Sequence, residues 1–231
     1  MHELDPTFFG SGSHTYQPSL ASGTELEGSD WPWIRRWRKG TRAVLIEQRL
    51  RISADERIAR SLRISQGLKS ILSSKSDKLI GFYWPFRGEV DARPLLTEER
   101  NRGMRLALPV VVERGRPLQF RAWSPGTRMT RGVWNIPIPA GDESVEPDVL
   151  IAPLVGFDPA GYRLGYGGGY YDRTIASRTA KPFVIGIGFE IARLSTIYPQ
   201  SHDIPMDVIV TDRGIWSSPA AGVSSRPDLR S

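Results

Sequence analysis

Asp148-Val-Leu-Ile-Ala-Pro-Leu-Val-Gly-Phe-Asp-Pro-Ala-Gly-Tyr-Arg-Leu-Gly-Tyr-Gly-Gly-Gly-Tyr-Tyr-Asp-Arg173 sets out a strand, a glycine-rich loop and the start of a helix in one segment. Val149 to Val155 is apolar at nearly every position, the pattern of a strand covered on both faces. A tight turn and a loop with glycine at 165, 167, 168 and 169 follow, and Tyr170, Tyr171 and Asp172 open a helix ending near Arg178. Glycines there let backbone N–H groups approach a ligand closely, and the start of a helix favours an anion. The order reads as a phosphate cradle. It is not a Walker A loop, since no Gly-Lys-Ser or Gly-Lys-Thr follows, and the spacing of Gly165, Gly167 and Gly168 does not fit Gly-x-Gly-x-x-Gly.

Outward from this stretch, further strands are expected over Lys78 to Trp84, Arg105 to Val112, Phe183 to Phe189 and Asp207 to Thr211. Leu118 to Trp123 reads as an edge strand before the turn at Ser124-Pro125-Gly126. Val44, Leu45 and Leu50 give helical spacing to Arg38 through Leu50. Ser53-Ala54-Asp55-Glu56 is a capping box opening a second helix through Ile58, Leu62, Ile64 and Leu68 toward Leu72, and Leu95 to Arg102 is a third. Strand and helix in alternation predict an α/β, single-domain, Rossmann-like layered fold, with a mostly parallel central sheet and helices on both faces. Ligands of such sheets gather outside the carboxyl ends of the strands, where the Arg163 to Asp172 loop is expected.

The domain is assigned to residues 31–216, between a flexible acidic leader over 1–30 and a polar tail over 217–231. In the leader, Phe8, Phe9, Tyr16 and Leu20 offer the alternative of docking on the body; Trp31, Trp33 and Trp37 crowd the entry to the first helix. Arg outnumbers Lys 26 to 5, every one of them beyond residue 30, so the body is more basic than the whole-chain charge of +6 and suits anionic ligands. The absence of cysteine excludes disulfides, a thiol nucleophile and thiolate metal sites. No apolar run is long enough to span a membrane and no secretory signal is visible, which leaves the cytoplasm as the expected location.

Arg163-Leu-Gly-Tyr-Gly-Gly-Gly-Tyr-Tyr-Asp-Arg173, preceded by Ala152-Pro-Leu-Val-Gly-Phe-Asp158, resembles the signature of the 5-formyltetrahydrofolate cyclo-ligases, also called methenyltetrahydrofolate synthetases. Separated blocks fall in that family's order: Arg38 to Arg42, Ser53 to Arg57, Gly88-Glu89-Val90-Asp91, Leu108-Pro109-Val110, Trp134-Asn135-Ile136-Pro137, and His202-Asp203 with Asp207. The resemblance implies ATP-dependent, Mg²⁺-dependent conversion of 5-formyltetrahydrofolate to 5,10-methenyltetrahydrofolate, ADP and phosphate. In that chemistry the formyl oxygen attacks the terminal phosphoryl group, N10 closes the ring and phosphate departs, with no protein nucleophile.

By the same resemblance, Arg163 and Asp172 are catalytic, Asp172 holding Mg²⁺ directly or through water. Arg38, Arg42, Arg163, Gly165, Tyr166, Gly167, Gly168, Gly169 and Tyr170 contact the nucleotide, while Tyr83, Glu89, Trp134 and Tyr171 contact the folate, Glu89 on the pterin edge. Read without the family, the alternatives are a salt bridge to Asp158 for Arg163, a carboxylate near a helix N-terminus with no chemistry for Asp172, a turn carboxylate for Glu89, core filling for Tyr83 and Trp134, and a solvated basic face for Arg38 and Arg42. The chain departs from family patterns at Arg38, where relatives have Lys, and at Ile138, where many have a polar residue. Tyr166 and Gly168 replace basic residues of some relatives. The expected partners are small molecules, not nucleic acid or membrane, and the expected state is a monomer. The competing classes are a relative that binds folate or nucleotide without turnover, or acts on another substrate, and an arginine-rich, RNA-associated protein.

Overall fold

The computed structural model describes residues 31–75 and 77–219. The expectations for the leader and for most of the tail lie outside the described residues. The chain runs α1 (Trp31–Leu50), α2 (Ala54–Leu72), β1 (Leu79–Gly81), α3 (Arg93–Asn101), β2 (Arg105–Val110), β3 (Gln119–Trp123), β4 (Met129–Arg131), β5 (Pro137–Pro139), β6 (Ser144–Val145), β7 (Val149–Pro153), β8 (Gly156–Phe157), β9 (Arg163–Leu164), α4 (Tyr170–Ala176), β10 (Phe183–Ile187), β11 (Val208–Thr211) and β12 (Gly214–Ser217).

Eight strands form one sheet in the order β12-β11-β10-β7-β1-β2-β3-β6. Its centre, β11 through β2, is parallel; β12 pairs antiparallel with β11 at one edge, and β3 and then β6 extend the other by antiparallel pairing. Period-two alternation sends the two sets of side chains to opposite faces. Ile80, Leu106, Ile151 and Ile185 pack with Ile64, Leu68, Leu72 and Leu96 of α2 and α3, whereas Leu79, Ala107, Leu150 and Val184 face the side on which Ile175 of α4 packs. Each fully buried Leu or Ile contributes about 1.5–3 kcal/mol, so the α/β layering follows directly from the apolar runs. Strand order reverses beside β1: β2 is added on one side, and β7, β10 and β11 on the other. The segments leaving the carboxyl ends of β1 and β7 therefore part and open a crevice.

Several expected boundaries shift. The first helix begins at Trp31 rather than Arg38, because Pro32 sits in the first turn, where its missing N–H breaks no helical bond. Val44 and Leu50 are exposed; the buried face of α1 is Ile34, Arg38, Leu45 and Arg49. Ile58 and Leu62 are likewise exposed, since Leu62 lies two residues, about 200°, from the Ile64-Leu68-Leu72 stripe. β3 is not an edge strand, because Ser144–Val145 pairs outside it. The β4–β5 and β8–β9 hairpins and β12 lacked the alternating runs that would have announced them.

Candidate active site at the strand carboxyl ends

The crevice holds a cavity of about 790 Å³, within the range of roughly 300–1,000 Å³ usual for small-molecule sites. Arg38, Arg42, Tyr83, Glu89, Trp134, Arg163, Gly165, Tyr166, Gly167, Gly168, Gly169, Tyr170, Tyr171 and Asp172 all border it. They come from α1, the segment after β1, the turn before β5, and the β9–α4 loop.

Arg163 and Asp172 pair with each other across the glycine loop. Arg163 Nη2 lies 2.9 Å from Asp172 Oδ2, and Asp172 Oδ1 accepts the Ile204 N–H at 3.2 Å. The alternative bridge from Arg163 to Asp158 does not form: Asp158 accepts the N–H groups of Ala160, Tyr162 and Ile197 instead. Arg163 is 7% exposed, yet its Nη1 has no hydrogen-bond partner; the buried Tyr171 hydroxyl, whose ring lies 5.4 Å from the same guanidinium, has none either. An unmet buried donor costs about 1–3 kcal/mol, and with Arg173 Nε three such donors belong to residues that border the cavity.

Arg38 is committed elsewhere. It donates to Ile197 O, Tyr198 O and both Asp203 oxygens, the shortest at 2.5 Å, and so ties α1 to the segment before β11. Arg42 has one such tie, Nε to Gly165 O at 2.7 Å. A β-carbon on Gly167, whose φ is +92°, would come 3.4 Å from the Arg42 guanidinium carbon. Burial lowers the pKa of Arg42, with Arg38 adding to the effect. Sequence reasoning did not select Arg35 and it gave Lys39 no role, yet both border the cavity, one turn apart and continuing to Arg42.

Glu89 closes the turn after β1 and is nearly buried. Its Oε2 accepts the Phe86 N–H at 2.8 Å across Arg87 and Gly88, both with positive φ, so the turn-carboxylate reading holds for that oxygen. Burial pushes the carboxyl up to about 7, against the opposing pull of Arg49, the Phe86 N–H and the Tyr166 hydroxyl. The Tyr83 hydroxyl donates to Val90 O at 2.9 Å, which leaves only its ring for the cavity. Burial, then the charge of Glu89, raises the Tyr171 phenol, which keeps it a donor at neutral pH.

The model of the 5-formyltetrahydrofolate cyclo-ligase family matches residues 34–212. The chain belongs to this family. It is 33% identical over 145 residues to the 5-formyltetrahydrofolate cyclo-ligase of Escherichia coli K12, covering 59% of this chain and 79% of that one. The Haemophilus influenzae 5-formyltetrahydrofolate cyclo-ligase is 29% identical, with 64% and 83% covered. Among solved structures, the Aquifex aeolicus 5,10-methenyltetrahydrofolate synthetase superposes with a TM-score of 0.69 at 28% identity, over 83% of this chain and 97% of that one.

The mouth of this cyclo-ligase-family cavity carries Trp134, 59% exposed, in edge-to-face contact with Tyr170 at 6.2 Å. Trp134 and Asn135 both have left-handed backbones, φ 57° and 61°, a conformation that costs about 1–3 kcal/mol for such residues and presents the indole at the rim. Ile138, in β5, borders the cavity as an apolar wall. The acidic residues near His202 serve the scaffold: Asp203 receives Arg38, and Asp207 Oδ2 accepts the Val184 N–H at 2.7 Å. Among the described residues no three His, Cys, Asp or Glu side chains gather as a metal site. A lone carboxylate is still a fitting donor for Mg²⁺, which keeps several waters and shares phosphate oxygens. Asp172, one-fifth exposed at its side chain, meets that requirement.

Proposed function

We propose that the chain converts 5-formyltetrahydrofolate and ATP to 5,10-methenyltetrahydrofolate, ADP and phosphate, as the resemblance implies. The observation that carries the proposal is one cavity bordered at once by Arg42, the glycine loop, Glu89, Arg163 and Asp172. Arg35, Lys39 and Arg42 would receive the polyphosphate, and the glycine loop would bring backbone donors to it. Glu89 would accept from the pterin edge with the oxygen that Phe86 leaves open, and Trp134 would cover the ring system at the mouth. Arg163 and Tyr171 would donate to the group on which charge spreads as the formyl oxygen attacks phosphorus.

Preorganised donors at that point stabilise the developing charge without reorganisation, and holding N10 near the formyl carbon favours ring closure. Asp172 would hold Mg²⁺ with the phosphate oxygens; the ion would neutralise charge on the transferring group. Arg38 would serve by fixing α1 rather than by touching phosphate. A cytoplasmic monomer acting on small molecules goes with this reading.

An absorbance assay for the methenyl product tests it. Product should form only when 5-formyltetrahydrofolate, ATP and Mg²⁺ are all present. Binding of both ligands by calorimetry without product would instead identify a noncatalytic relative, and salt-sensitive RNA binding without either ligand would point to the RNA-associated class.

A further inference from the structure

Trp31, Trp33 and Trp37 open α1 and are used differently. Trp33 and Trp37 stack at 6.4 Å between ring centroids, and each meets the Tyr198 ring edge to face, at 5.0 and 4.9 Å, so this pair packs the helix against the segment before β11. Trp31 alone of the three borders the cavity, half-buried, and His202 borders it too. The Trp31 and His202 ring centroids lie 5.9 Å apart, and their planes meet at 87°. Arg38 bonds both oxygens of Asp203, which fixes the neighbouring His202 beside the helix. Trp31 precedes residue 34, where the family match begins.

We propose that Trp31 and His202 form the subsite for the base of the nucleotide, with the indole as the platform on which the base stacks and the imidazole abutting its edge. The proposal rests on the reading that Arg35, Lys39 and Arg42 receive the polyphosphate. At about 100° per residue, Trp31, Arg35 and Arg42 fall within about 40° of one another around α1, and Lys39 flanks Arg35. At the Arg42 end this face is tied to the glycine loop through Gly165 O. From Trp31 to Arg42 the helix rises about 16 Å, comparable with the length of an extended nucleoside triphosphate. Phosphates seated along the face with the terminal one at the loop leave the ribose and base at the Trp31 end. Two planes at nearly a right angle make a corner that a flat heteroaromatic ring can fill, with a stacked contact on one plane and an edge contact on the other. Every base has a π-face, so the corner supplies affinity for a nucleotide over bare polyphosphate rather than a choice among bases. The pterin, the other flat heteroaromatic of the proposed reaction, is assigned to Glu89 and Trp134, on the segment after β1 and the turn before β5.

The test uses the full chain and two probes, ATP and inorganic tripolyphosphate, with affinities measured by calorimetry in magnesium. Trp31→Ala should weaken ATP about tenfold, as expected for the loss of one stacked base, while tripolyphosphate, which has no base, binds as it does to the wild type. Trp31→Phe keeps a face to stack on and should lose less. Equal weakening of both probes would show that the indole only supports the helix end, and an unchanged ATP affinity would place the base elsewhere; either overturns the proposal. A second readout leaves Trp31 in place: in chain labelled with 5-fluorotryptophan, the ¹⁹F line that Trp31→Phe removes should shift with ATP and not with tripolyphosphate. A shift with 5-formyltetrahydrofolate alone would give the corner to the pterin and overturn the proposal as well. A wild-type chain that binds ATP and tripolyphosphate but forms no methenyl product overturns the catalytic reading, and the affinities still decide the subsite; a chain that binds neither overturns both.

Discussion

At the scale of single residues, Asp172 has two duties that the sequence did not separate. It would hold magnesium, and it is the carboxylate partner of Arg163, whose side chain is 4% exposed. Removing one member of a buried pair leaves an uncompensated charge and costs about 3–5 kcal/mol. Asp172→Ala should therefore lower the thermal midpoint as well as magnesium-supported turnover, whereas Asp172→Asn, which still accepts the Ile204 N–H, should lower turnover with a smaller loss of stability. Thermal melts and steady-state rates check this together; an Asp172→Ala protein with near-wild-type turnover in magnesium would remove Asp172 from the mechanism. The residue types at the site were legible because the Arg163 to Asp172 stretch is distinctive, and all fourteen named positions border one cavity. What each donor bonds to was not legible: Arg38 is consumed by Asp203 and two carbonyls, and Tyr83 by Val90 O, through contacts made by chain far away in sequence.

At the scale of elements, α1 and α2 show where periodicity informs and where it misleads. The capping box holds, with the Glu56 N–H donating to Ser53 Oγ at 3.2 Å. The apolar residues of α2 nevertheless fall on two faces, and only Ile64, Leu68 and Leu72 meet the sheet. Leu68→Ala should cost about 2–5 kcal/mol, and Leu62→Ala no more than about 0.5 kcal/mol, measured by urea denaturation; equal losses would contradict the packing described. In α1 the spacing 38, 42, 45, 49 carries three arginines and one leucine. Arg49 was therefore within reach of the sequence, since it extends the Arg38–Arg42 face by two turns, but a hydrophobicity pattern does not count arginine as an inward residue. α4 is seven residues long and ends at Ala176, short of the expected Arg178, so in the proposed reading side-chain and loop donors rather than a long helix dipole would hold an anion.

At the scale of the molecule, the alternation of strands and helices was enough to give a parallel-centred sheet with helices on both faces. The strand order was not in the pattern; it is set by which apolar faces meet across long separations. That order matters most, because the reversal beside β1 brings the Glu89 turn and the glycine loop to a common crevice. In the proposed reaction this crevice seats the terminal phosphate of ATP against the formyl oxygen of the folate. Turnover of 5-formyltetrahydrofolate carrying ¹⁸O in the formyl group tests it most directly, with the released phosphate read by mass spectrometry. Attack by that oxygen on phosphorus, followed by ring closure with loss of phosphate, predicts one ¹⁸O in each inorganic phosphate; ATP consumed with unlabelled phosphate would contradict the account.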